Sequence, residues 1–69
     1  MTQVEAEMTA TVWKLTVADV ETVEIGQTIA VIESMKMEIP VDAPAAGVVR
    51  FHVAEGADVA EGEVIAEIS

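Results

Sequence analysis

One lysine in this chain is placed for acylation chemistry. It is Lys36, in the run Glu33-Ser34-Met35-Lys36-Met37-Glu38. Thirteen acidic residues face three basic ones, Lys14, Lys36 and Arg50, so the chain has two lysine amines. An isolated cation flanked by soft apolar side chains does not fit a charged face; it reads as a presented nucleophile. A lysine ε-amine sits on a flexible stem, and acylation removes its charge. Lys14, beside Val12, Trp13 and Leu15, shows no such presentation. His52 is the one histidine and there is no cysteine, so neither a multi-histidine nor a cysteine metal site can form. No nucleophile–base pair can be assembled, which argues against an enzyme acting alone and gives a catalytic set of none. The glycines read as turn residues, because no helix start follows them to make a phosphate loop.

The chain that must hold this lysine is small. Its 69 residues make one domain, 1–69, which buries roughly 60% of its unfolded surface. Stability rests on Val, Ile and Ala, since Trp13 and Phe51 are the only aromatics. A net charge of -10 argues against nucleic acid and anionic membranes as partners. No apolar run approaches the roughly 18 residues of a membrane span, and the N-terminus lacks a leader pattern. A cytoplasmic protein, monomeric when isolated, is expected.

The elements expected around Lys36 are strands. Short runs rich in Val and Ile are punctuated by Gly26, Pro40, Pro44, Gly47, Gly56 and Gly62, and no window has helical length and period. An all-β sandwich or flattened barrel follows. An internal repeat supports it. Shifted by thirty-six positions without a gap, Val12 falls on Val48, Lys14 on Arg50, Asp19 on Glu55, Val23 on Val59, Gly26 on Gly62 and Ile32 on Ile68. The reading is of two β units, 10–32 and 46–68, packed face to face, with segment 33–45 left over. A strand over Ile29–Ser34 and a return over Met37–Val41, interrupted by Pro40 and Pro44, put Met35-Lys36 at a hairpin tip. The repeat would place the chain ends opposite that tip. The turn lacks the Asn-Gly pair that tight hairpins favour. Strand alternation would send Met35 and Met37 to one side and Lys36 to the other.

The run Glu33-Ser34-Met35-Lys36-Met37-Glu38 resembles the Glu-Ala-Met-Lys-Met attachment motif of biotin carboxyl carrier domains, in the biotin/lipoyl attachment family. Pro44-Ala45-Ala46-Gly47-Val48-Val49 and Gly56-Ala57-Asp58-Val59-Ala60-Glu61-Gly62 resemble that family's later segments. The resemblance runs from about Ala10 onward. It implies two four-stranded antiparallel sheets related by a pseudo-twofold axis. It also implies that a biotin protein ligase acylates Lys36 to N6-biotinyllysine. The biotin would then carry a carboxyl group from a biotin carboxylase to a carboxyltransferase, such as that of an acyl-CoA carboxylase. Met35, Met37, Glu33, Ser34 and Glu38 would be what the ligase meets, although the two glutamates also read as solvated carboxylates.

Ser34 departs from the usual Ala, and Val20 stands where many relatives have Gly. The segment Met8-Thr9-Ala10-Thr11-Val12 lacks their Pro and Gly. The gap-free repeat leaves no room for an inserted thumb, and no Pro/Ala-rich linker precedes the repeat, so the chain resembles the small free-standing attachment proteins more than a domain of a large subunit, which stays open as the alternative. Lipoate on the same fold is the alternative cofactor; methionines on both sides of the lysine favour biotin. An unmodified interaction module is the remaining reading.

Overall fold

A computed structural model describes residues 2–69. Among the described residues all regular elements are strands: β1 Thr2–Glu5, β2 Ala10–Leu15, β3 Thr22–Val23, β4 Thr28–Ser34, β5 Met37–Asp42, β6 Gly47–Phe51, β7 Asp58–Val59 and β8 Val64–Ile68. They form two four-stranded antiparallel sheets, β1-β8-β6-β3 and β5-β4-β2-β7. Among the described residues no helix is long and apolar enough to cross a membrane.

The strand pairings carry a pseudo-twofold relation. It exchanges β1 with β5, β2 with β6, β3 with β7 and β4 with β8. The expected halves do not each form one sheet: β3 of the first joins β6 and β8 of the second, and β7 of the second joins β2 and β4 of the first. Separate units would each leave a wet apolar face, whereas interleaving buries both against one core. The equivalence also reaches beyond 10–32 and 46–68. Val4↔Ala66 in one sheet matches Val41↔Ala30 in the other, and Thr2↔Ile68 matches Ile39↔Ile32. The strand β1 was not anticipated, although Val4-Glu5-Ala6 lies on Val41-Asp42-Ala43 at a shift of thirty-seven.

That change of shift has a local cause. Leu15↔Ala30 and Phe51↔Ala66 keep the shift of thirty-six. Upstream, the β2 register slips between Val12 and Lys14, and Trp13 is the extra residue of a β-bulge. Val12 therefore corresponds to Val49, not Val48. The bonds agree: Val12 N–H donates to Ala57 O at 2.8 Å and Val49 N–H to Glu21 O at 3.0 Å. The gap-free alignment thus hid one inserted residue.

The core obeys the same relation. The largest fully buried side chains are Ile29 with Ile65, Ile32 with Ile68, Val12 with Val49, and Val23 with Val59. Branched side chains lose little freedom at χ1 and fit a pleated face, which suits a thin core without aromatics. Phe51, half-buried, packs at its margin, and Trp13 is half exposed at the bulge.

The turns repeat as well. Gly26 and Gly62 both have φ +84°, and Gly56 has φ +88°. Its counterpart Val20 has φ 65°, a backbone that a β-branched residue adopts only under strain. The missing glycine therefore did not change the loop conformation; the chain keeps it with an unsuitable residue.

Candidate functional site

The site is the tip of the β4–β5 hairpin. Its register is Ile32↔Ile39, Glu33↔Glu38 and Ser34↔Met37, which leaves Met35 and Lys36 as a two-residue connection. The base is held by Ile32 in the core and by half-buried Ile39. Pro40 does not interrupt the ladder: it lies inside β5, opposite Val31. An edge strand tolerates proline because one row of its backbone groups has no partner strand.

Met35 has φ 52° and Lys36 has φ 66°. Positive φ at both central positions is the type I′ requirement, whose twist suits a hairpin. Neither residue is one that favours this conformation. Holding non-glycine residues there costs about 1–2 kcal/mol each, which the flanking ladder must offset. Such strain, where the surroundings enforce it, is a pointer to function.

Both turn residues lie outside the strands, so strand alternation does not decide their directions. Met35 is 93% exposed and Met37 64%, and Lys36 is exposed between them. These are large apolar side chains in water, not core filler. Among the described residues no Lys or Arg side chain pairs with a carboxylate; the one contact of that kind joins His52 Nε2 to Glu67 Oε1 at 3.1 Å. Lys36 therefore has no carboxylate partner there to hold its amine down.

Glu33 and Glu38 are exposed and directly opposed across the hairpin. Like charges facing each other in a ladder are unfavourable. Ser34 is half-buried and opens the turn. The tip thus brings together all six residues singled out in the sequence. Lys14 is apart from it, in β2 opposite Val31. His52 follows β6 in a bend, with its N–H donated to Ile65 O at 2.7 Å.

The arrangement presents a primary amine at the end of a two-stranded arm, clear of carboxylates and framed by thioethers. It fits a carboxylic-acid cofactor joined through an amide, since the stem is free and the new amide would lie in water. Among the described residues no cluster of His, Cys, Asp and Glu could hold a metal ion.

The twofold exchanges the base of this arm, Ile32↔Ile39, with the Thr2↔Ile68 pair of β1 and β8. The arm and that pair therefore lie on opposite sides of the pseudo-twofold axis.

Comparison with known proteins places the chain among relatives of one family. A family model described as "Biotin-requiring enzyme" matches residues 2–68. The chain is 42% identical over 67 residues to a biotin/lipoyl attachment protein of Bacillus subtilis, covering 96% of this chain and 92% of that one. It is also 42% identical over 66 residues to the alpha3 subunit of a biotin-dependent acyl-coenzyme A carboxylase of Mycobacterium leprae. That match covers 94% of this chain but 11% of the subunit. Among solved structures it superimposes on the urea carboxylase of Kluyveromyces lactis with a TM-score of 0.89 and 32% identity. There it covers 97% of this chain and 6% of that one.

Proposed function

This chain belongs to the biotin/lipoyl attachment family, and from that membership we propose that it is a biotin acceptor and carboxyl carrier with Lys36 as its attachment site. The observation that carries the reading is the exposed Lys36 at the strained tip of the β4–β5 hairpin, between Met35 and Met37. A biotin protein ligase acylates the Nζ amine, and Met35, Met37, Ser34, Glu33 and Glu38 are the surface it recognises. The two methionines offer adaptable apolar contact. The glutamates bracket them with negative charge.

When attached, biotin supplies the nitrogen that takes up and gives back a carboxyl group. The chain itself performs no chemistry. Its side chains hold the amine away from the core, and the hairpin lets the tip enter a partner's active site. Tethering raises the local concentration of the cofactor at two successive sites, a biotin carboxylase and a carboxyltransferase. The carboxylase relatives support that pair of partners, and an acyl-CoA is the acceptor class the alpha3 relative suggests.

Lipoate is the second reading, because the family includes both attachments. Methionine on both sides of Lys36 favours biotin. The test is labelled biotin supplied with a biotin ligase, against labelled lipoate supplied with a lipoate ligase. Incorporation of biotin alone, abolished by Lys36→Arg, is the expected result. Lipoate incorporation in its place, or biotin on the folded Lys36→Arg variant, would overturn the proposal.

A further inference from the structure

The two sheets each end in an unpaired strand on the same flank. β1 closes one sheet and β5 the other, and the twofold exchanges them. Between them runs an open groove of about 570 Å³. Its floor is apolar, with buried Val4, Ala6 and Ile32 and half-buried Ile39 and Val41. Its rim is acidic: Glu5, Glu7, Asp42 and Glu61 line it, all exposed, and among the described residues no Lys or Arg does.

We infer that this groove seats an extended basic segment of a partner protein, added as a strand on the free edge of β1. Three observations commit it to that occupant. Side chains along a strand alternate, and here exposed Gln3 and Glu5 flank buried Val4 in β1, a pattern that buried Ala6 and exposed Glu7 continue just past the strand's end. A strand alternating apolar residues with Lys or Arg matches that pattern: its apolar side chains meet the floor and its cations meet the rim. A second copy of this chain does not match, because its β1 and β5 edges are acidic too.

The third observation is a break in the twofold. Pro40 of β5 corresponds to Gln3 of β1, since they pair with Val31 and Glu67 respectively. Proline has no N–H, so β5 lacks a donor that β1 retains. Proline on an edge discourages strand addition. The groove therefore has one edge blunted against pairing and one, Thr2–Glu5, left with its donors. Strand addition supplies main-chain hydrogen bonds for affinity, and the alternating side chains supply selectivity.

The inference does not depend on acylation of Lys36, so Lys36→Arg is a control that binds equally. The probe is a synthetic peptide alternating Lys and Val, titrated into the isotope-labelled full chain and followed by amide NMR. Saturable shifts confined to Gln3–Glu7 and Ile39–Asp42, with slowed amide exchange in β1, are expected. Glu5→Lys with Glu7→Lys should weaken binding roughly tenfold or more, with the spectrum otherwise intact. Methylating alternate peptide nitrogens keeps every charge but removes the ladder donors, and should abolish binding. Retained binding of the methylated peptide would reduce the effect to charge attraction and overturn the proposal. So would shifts scattered over the acidic surface.

Discussion

Asp19 and Glu55 are exchanged by the pseudo-twofold, and each carboxylate holds the other half of the chain. Phe51 N–H donates to Asp19 Oδ1 and Leu15 N–H donates to Glu55 Oε2, both at 2.9 Å. Each bond fixes the end of a central strand, β6 or β2, to the loop that follows its counterpart. Asp19→Ala and Glu55→Ala should each lower stability by about 1 kcal/mol, the net scale of a typical hydrogen bond, since solvent screens these exposed carboxylates. Urea unfolding measures this. Unchanged midpoints for both variants would mean that these reciprocal bonds contribute nothing.

Val20 should be replaceable with profit. Its φ of 65° costs a β-branched residue of order 1–3 kcal/mol. Glycine removes that strain while adding about 0.5–1 kcal/mol of unfolded-state entropy. Val20→Gly is therefore expected to stabilise the domain by about 1 kcal/mol, and Gly56→Val to destabilise it. Thermal melts of the two variants should shift in opposite directions.

Glycines should differ in how they tolerate a methyl group. A Cβ on Gly47 would stand 2.5 Å from the Ser69 carbonyl oxygen and 2.9 Å from Ile68 Cγ2. A Cβ on Gly26 would meet nothing within 4 Å. Gly26→Ala costs about 1 kcal/mol through φ alone. Gly47→Ala adds a clash with the chain end, for a total of about 2–4 kcal/mol. Equal losses in denaturant melts would contradict the close approach of β6 to the C-terminus.

The hairpin tip should trade stability for recognition. Asparagine accepts the left-handed conformation that Met35 holds at φ 52°. Met35→Asn is expected to raise stability by about 0.5–1 kcal/mol while slowing acylation of Lys36. Melting temperature and ligase rate, measured on one preparation, check both halves. A variant acylated as fast as the parent would show that Met35 serves no recognition.

Much of this was legible because the chemistry and the repeat coincide. Ile29/Ile65, Ala30/Ala66 and Ile32/Ile68 are identical pairs at one shift, and they prove to be core. The hairpin could be placed from where Lys36 falls between the repeated strands. What escaped was local. Trp13 adds one residue to β2, and alignment by type cannot see a bulge when Val12 can match Val48 as readily as Val49. The strand β1 is hidden because its counterpart β5 lies in the segment between the two repeated units. The interleaving of the halves depends on strand order, which alternation within a strand does not encode.

The most direct test of the central claim is peptide mapping by mass spectrometry after co-expression with a biotin protein ligase and biotin. One biotin on Lys36 and none on Lys14 is the predicted result. A folded chain that stays unmodified, or that carries biotin on Lys14, would contradict it.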